Sequence, residues 1–288
     1  MEIINTCKSC NSKNLQIFIK DVSSFGYKMD VVECKDCHLR FRNILLNEKE
    51  IESLYASSYF NEIQKDYFFS NQELKEKIFK NRLQIVNSIV SKKGTLLDVG
   101  SAMGTFLEVA KKDGWKETGI EVSEYASEIA NKNGLNSICG NTSMIIGQNK
   151  KYDVITLWDM IDHAEKPLTV LDDVRKLIGE NGFIFVETTV IDSAMFIIAE
   201  VVNTLSFGII KNPLLKGYPV HHTNYYSQQT MAADIEKAGF KVVKVIREPF
   251  NQEIFSGTKI EKILFGLIES FSKFIHKEIV CTIVAVPK

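Results

Sequence analysis

The chain has 288 residues, 45% hydrophobic and 25% charged, with 35 Lys and Arg against 36 Asp and Glu for a formal charge of −1. These proportions are those of an ordinary globular protein and exclude a disordered chain or a disulfide-held miniature. The balanced charge offers no basic excess for a polyanion, so nucleic acid is not an expected partner.

The opening residues, Met1 to Cys7, lack the basic start and apolar core of a secretory leader. The expectation is a reducing, cytoplasmic setting, where paired cysteines hold metal more often than they form disulfides. No uncharged apolar run reaches the length of about 18 residues that marks a membrane span. The nearest, residues 194–210, is interrupted by Glu200 and Asn203 and reads as a buried helix or substrate lid within a segment 191–217.

Cys7-Lys8-Ser9-Cys10 and Cys34-Lys35-Asp36-Cys37 are two Cys-x-x-Cys knuckles separated by 23 residues. Two-residue spacing lets both sulfurs of a knuckle meet one ion at about 2.3 Å, and two knuckles complete a tetrahedral thiolate site. Short strands at 15–20 and 29–33 make a zinc-ribbon hairpin of residues 1–45, too small to hold itself by its core alone. Four thiolates leave no open position, so Zn2+ is expected to be structural, with Cys7, Cys10, Cys34 and Cys37 as ligands. His38 is taken as an exposed neighbour, and Cys139 and Cys281 as ordinary buried thiols.

Residues 46–93 form a helical connector. Ile51, Leu54, Tyr55 and Tyr59 have helical spacing over 48–60. Ser70 followed by Glu73 resembles a capping box for a helix running to about residue 90, with Leu74, Ile78, Leu83, Val86 and Val90 along one face. The aromatics Tyr55, Tyr59, Phe60, Tyr67, Phe68 and Phe69 are expected to pack between the connector and the next domain, with lining of a substrate pocket as the less favoured role.

Residues 94–288 read as one α/β domain. Residues 95–99 are an apolar run suited to a central parallel strand. Gly100 and Gly104 bracket a tight turn, and a helix follows from Thr105. Asp98 at the strand end would repel a pyrophosphate and suits a ligand bearing ammonium or sulfonium charge. Glu121 ends the next strand 23 residues later, where an acid can accept hydrogen bonds from both ribose hydroxyls. Together these features describe an adenosine ligand without phosphates, and an NAD-binding site fits worst.

Here the chain resembles the class I S-adenosylmethionine-dependent methyltransferases. Leu96 to Gly104 looks like their Asp-x-Gly-x-Gly-x-Gly motif with Ala102 in place of the middle glycine, and Gly119-Ile120-Glu121-Val122-Ser123 like their ribose motif. The resemblance implies a seven-stranded Rossmann-like sheet with S-adenosyl-L-methionine bound by Asp98, Gly100, Ser101, Gly104, Glu121, Val122, Asn141 and Trp158. Asn141 stands where the family places an acid beside adenine. Residues 152–159 resemble the fourth strand, and Ile161 to Pro167 the turn closing over the cofactor.

The stretch Tyr218 to Ser227 contains His222-Thr223-Asn224-Tyr225-Tyr226-Ser227, similar to a His-x-x-Tyr-(Phe/Tyr)-Ser stretch in deoxysugar C-methyltransferases that carry the same zinc module. That resemblance implies acid–base work for His222, although the sugar enzymes have an acid where His221 stands. His163 and Tyr225 complete the catalytic candidates, Tyr225 and Tyr226 being taken chiefly as pocket walls. An apolar helix over 257–277, flanked by Lys259, Lys262, Lys273 and Lys277, is expected to cover the core. Contact with a membrane or a lipid-linked substrate is its less favoured role.

The expected activity is methyl transfer to a small molecule, first of all a nucleotide- or lipid-linked sugar of surface-polysaccharide biosynthesis. The alternatives are O- or N-methylation of another metabolite, or a non-catalytic ribbon adaptor.

Overall fold

The computed structural model describes residues 2–24, 27–63, 72–147, 150–210, 212–218, 221–250 and 259–288. Tyr67, Phe68, Phe69 and Ser70 of the connector, Pro219 and Val220 of the histidine stretch, and residues 257 and 258 of the tail helix lie outside them.

The N-terminal part carries β1 (Glu2–Ile3), β2 (Leu15–Ser24), β3 (Tyr27–Cys34), β4 (Arg40–Arg42) and β5 (Ile44–Leu45). β1 pairs with β5, and β2, β3 and β4 form an antiparallel meander. Both knuckles end in a left-handed residue, Asn11 (φ 60°) and His38 (φ 63°). Asn11 donates its N–H to the Cys7 carbonyl at 3.0 Å and His38 to that of Cys34 at 2.8 Å, so the two turns close in the same way.

The connector is not one helix over 48–60. α1 (Glu48–Leu54) starts at a capping box in which the Asn47 side chain accepts from the Glu50 N–H and Glu50 reaches back, and it stops at Tyr55. A single π-helical turn follows at Tyr59–Ile63, then α2 (Gln72–Ile89). Leu74, Leu83 and Val86 are buried along α2 as the spacing indicates, and so is Arg82.

The large domain then runs β6 (Thr95–Val99), α3 (Thr105–Lys112), β7 (Lys116–Glu121), α4 (Glu124–Lys132), β8 (Ser137–Cys139), α5 (Ser143–Ile146), β9 (Tyr152–Trp158), α6 (Pro167–Leu177) and β10 (Ile178–Thr189). It closes with α7 (Ala194–Leu205), α8 (Asn212–Gly217), β11 (Asn224–Tyr225), α9 (Gln228–Lys237), β12 (Phe240–Glu248), α10 (Lys259–Phe274) and β13 (Val280–Pro287). Seven strands form one sheet in the order β12-β13-β10-β9-β6-β7-β8, and β13 runs antiparallel to both its neighbours. The central strands bury both faces, which is why Leu96, Leu97, Val154 and Ile155 form uninterrupted apolar runs. Strand order reverses between β6 and β9, opening a crevice at their carboxyl ends.

The ribbon is stitched into this domain. β11 adds to the meander as its fourth strand, pairing Asn224 with Phe41 and Tyr225 with Arg40. One hydrophobic cluster runs from Cys7, Val32, Leu39 and Phe41 to Leu157, Tyr226 and Ile283. Cys281 is buried, whereas Cys139 is exposed because β8 is an edge strand and the residue sits at its end.

Candidate active site

A cavity of about 1130 Å3 opens at the carboxyl ends of β6, β7 and β9. Asp98, Gly100, Ser101, Glu121, Val122, Asn141 and Trp158 line it at one end, His163, His221 and His222 at the other.

Asp98 is buried and accepts a hydrogen bond from Thr156 Oγ1 at 2.7 Å. Loss of hydration pushes its carboxyl up to about 7. Glu121 is buried as well, and its two oxygens accept from the N–H groups of Ala102 and Ser123, each at 2.9 Å. The acid at the end of β7 thereby orders the turn after β6. Ala102, at the position of the missing glycine, keeps the left-handed backbone (φ 45°) despite its Cβ. Ser101 Oγ and Trp158 Nε1, on two residues that line this end, are themselves buried and find no hydrogen-bond partner among the described residues, Ser101 Oγ lying over Gly119. Asn141 Oδ1 accepts from the Ser143 N–H at 3.2 Å. Buried acids and a turn of backbone lining the cavity suit a cationic adenosine cofactor.

Gly104 does not line the cavity. It caps α3 in the left-handed region (φ 84°), where a Cβ would come within 2.5 Å of Leu135 Cδ1 and 3.1 Å of Ala130 Cβ. Its glycine is required for packing α3 against α4.

At the far end three imidazoles converge, with candidate ligand atoms all within 4.8 Å of one another, a set of the kind that also binds transition metals. His163 Nδ1 lies 3.1 Å from the Tyr55 hydroxyl, and His222 Nδ1 lies 3.2 Å from Asp162 Oδ2. Asp162 is fully buried beneath them. Burial raises the Asp162 carboxyl and lowers the imidazoles, His221 to about 3 and His222 well below its ordinary value, aided by the neighbouring histidines. Both histidines are therefore neutral, and burial makes the imidazolium form costly unless a counter-charge such as Asp162 is beside it.

The turn that presents His163 is tied to the segment at the start of β11 and to the ribbon. The N–H groups of Thr223 and Asn224 both donate to the Asp162 carbonyl, at 2.7 and 2.9 Å, and Asn224 Nδ2 donates to the Ala164 carbonyl at 2.8 Å. From the ribbon, Lys8 Nζ reaches Glu165 at 3.2 Å and Arg42 pairs with the same carboxylate. Tyr225 and Tyr226 are not walls of the cavity. Tyr225 packs behind His222 against Tyr218, with ring centroids 4.8 Å apart, and Tyr226 is buried beside Asp234. Tyr55 and Tyr59 line the cavity instead, because β11 turns its own tyrosine toward the ribbon core.

Sequence patterning missed Asp162, Arg82, Asp159 and Glu187. Arg82 donates from Nε to Glu187 at 2.7 Å and also pairs with Asp159, and Glu187 accepts from Thr282 Oγ1 at 2.8 Å. This network forms the cavity's back wall beside Trp158. One signal was available, an arginine on the apolar face of a helix.

The four cysteine sulfurs lie within 4.8 Å of one another, with Cys7–Cys37 at 3.4 Å and Cys10–Cys34 at 3.5 Å. A tetrahedral Zn2+ with bonds of about 2.3 Å spaces its sulfurs about 3.8 Å apart, so the set fits that ion. His38 is 73% exposed and stands clear of it.

Sheet order, glycine turn and strand-end acids define the class I S-adenosylmethionine-dependent methyltransferase fold. The chain belongs to the methyltransferase domain family, which matches residues 70–245. The ubiquinone biosynthesis O-methyltransferase of Pasteurella multocida is 30% identical over 121 residues, covering 36% of this chain and 49% of that protein. That of Nitrosomonas europaea is 26% identical over 142 residues, 45% of this chain and 60% of that protein. The chain thus spans about half the length of the curated relatives it matches. A methyltransferase from Archaeoglobus fulgidus superposes with TM-score 0.55 at 16% identity, over 79% of this chain and 99% of its own. Magnesium protoporphyrin IX methyltransferase from Synechocystis PCC 6803, solved with S-adenosylhomocysteine, gives 0.53 at 11% identity, over 84% and 100%. Both share the fold.

Proposed function

We propose that the protein is an S-adenosylmethionine-dependent methyltransferase whose small-molecule acceptor has an apolar part, a lipid-linked sugar of surface-polysaccharide biosynthesis ahead of a nucleotide-linked one. The observation that carries this reading is one cavity with a cationic-cofactor end, a histidine end, and an apolar wall of Phe196, Ala199, Val202 and Phe265 beyond the histidines. The histidine stretch supports the sugar class, and the apolar wall favours the lipid-linked form.

Bound cofactor supplies an electrophilic methyl group on a sulfonium. Asp98 holds the ammonium end by charge, Glu121 accepts from the ribose hydroxyls, and Ser101 and Trp158 shape the walls. Val122 gives the adenine an apolar contact, and the Asn141 amide donates to its ring. His222 takes the proton released by the nucleophile, and the Asp162 carboxylate, 3.2 Å from its Nδ1, offsets by charge the cost that burial puts on the imidazolium that forms. Tyr55 fixes His163, which orders the turn over the cofactor. The apolar wall excludes water, and in-line placement of nucleophile and methyl supplies much of the rate. Zn2+ at the four cysteines has a structural role, bracing the ribbon that grips Glu165.

Calorimetry with S-adenosylmethionine, S-adenosylhomocysteine and NAD is expected to show binding of the two sulfur ligands alone; failure of both to bind would overturn the reading. Labelled methyl transfer to a panel of nucleotide- and lipid-linked sugars then identifies the acceptor. O-methylation of a lipid-tailed metabolite is a second reading, favoured by the O-methyltransferase relatives together with the apolar wall. The methylated atom in the product, carbon or oxygen, separates the two.

A further inference from the structure

We propose that the paired helices α7 and α10 form a docking surface for an anionic lipid bilayer, placing the mouth of the cavity at the membrane. The two helices pack against each other beside the site. On their inner sides Ala199 and Val202 of α7 and Phe265 and Ile268 of α10 line the cavity. Their outer sides and the turn that follows α7 carry large apolar groups in water: Leu205 is 74%, Leu267 64% and Phe274 82% exposed, and Phe207 95% and Ile209 84% in the turn. Soluble monomers rarely expose apolar groups in such continuity.

Charge decides the occupant. The lysines of α10, Lys259, Lys262 and Lys273, are exposed, whereas its acids turn away: Glu269 is buried, and Glu261 is half-buried along the cavity. On α7 the acid Glu200 is held by Arg40. The face therefore shows water an apolar stripe bordered by cations, the pattern of a helix lying in the interface of an anionic membrane. A second copy or a protein partner would need acids facing those lysines, and this surface withdraws its own. Among the described residues no helix is long and apolar enough to cross a membrane, so the chain rests on the bilayer. Leu264 belongs to both the exposed stripe and the cavity lining, which makes the apolar path continuous. A lipid-tailed acceptor could enter along it without leaving the membrane, a consequence that rests on the methyltransferase reading.

Flotation of the full chain with phosphatidylcholine vesicles, with and without phosphatidylglycerol, tests the surface. Binding to the phosphatidylglycerol vesicles alone, weakened by salt, is expected. The double substitutions Phe207→Ser with Phe274→Ser and Lys262→Glu with Lys273→Glu should each weaken it by at least about tenfold. Calorimetric affinity for S-adenosylhomocysteine should stay unchanged in both, showing an intact fold. No flotation of the wild-type chain, or flotation indifferent to both double variants, overturns the proposal. So does a dimer abolished by the phenylalanine changes in a chain that binds no vesicle, which would assign the face to a second copy. Flotation by a chain that binds neither sulfur ligand would support the docking surface and reject the methyltransferase reading.

Discussion

Asp98, the penultimate residue of β6, is buried at the cavity wall, and loss of hydration lifts its carboxyl from 3.8 to about 7. A buried acid whose pKa is raised costs the fold stability increasingly as pH rises from the lower value to the higher, because only the unfolded chain ionises it freely there. A cofactor ammonium relieves that cost by favouring the carboxylate. Affinity for S-adenosylhomocysteine is therefore expected to rise about tenfold per pH unit below 7 and level off above it, with proton release on binding at low pH. Calorimetry in buffers of different ionisation enthalpy measures both; a flat profile would remove Asp98 as the counter-ion. His222 lies at the other end. His222→Ala should lower turnover by about 100-fold or more while sparing cofactor binding, the usual range for loss of a general base. Unchanged turnover would reject that role. The sequence displayed Asp98 and Glu121 because strand, turn and helix are local patterns. Asp162 stayed hidden because only the segment leading into β11, which bears His222 and folds back over the turn, makes its position meaningful.

Arg82 shows what an element contributes that its periodicity does not. The apolar stripe on α2 announces a helix that packs on the sheet, but the interruption at Arg82 is what fixes its placement against β9 and β10 through Asp159 and Glu187. Removing one partner of a buried ion pair costs about 3 kcal/mol or more, since the other charge stays behind. Arg82→Met should lose about that much in urea unfolding at neutral pH. Burial already raises the Glu187 carboxyl, so without Arg82 it protonates readily and the deficit should shrink as pH falls. A deficit independent of pH would mean that lost packing, rather than the stranded carboxylate, explains the change. α1 illustrates the opposite case, where a local rule extended a helix to residue 60. The chain leaves the helix at Tyr55, whose hydroxyl is held by His163 and whose carbonyl accepts from Ser123 Oγ at 2.7 Å.

For the whole molecule, the ribbon is a strut rather than an appendage. β4 carries β11, and Lys8 and Arg42 hold the turn that bears His163. Metal removal should therefore be felt at the active site, far from the cysteines in sequence. A strong chelator is expected to lower the melting temperature and turnover together, and to raise amide exchange at residues 221–226. Excess Zn2+ should restore all three. Loss of protection confined to residues 2–45, with full activity, would show that the ribbon folds on its own account.

By itself the sequence determined the two cysteine knuckles, the alternation of strands and helices, and the acids at the ends of β6 and β7. Each rests on near-neighbour geometry: a two-residue sulfur spacing, a helical or extended repeat, a turn that needs glycine. Only the tertiary structure decided which histidines meet, that Gly104 serves packing, that Tyr225 faces the ribbon, and that the ribbon and β11 share one sheet. Those facts depend on segments distant in the chain, from Gly104 and Leu135 to Arg40 and Tyr225, arriving at one place. Burial then sets their protonation and pairing, and no local pattern encodes that.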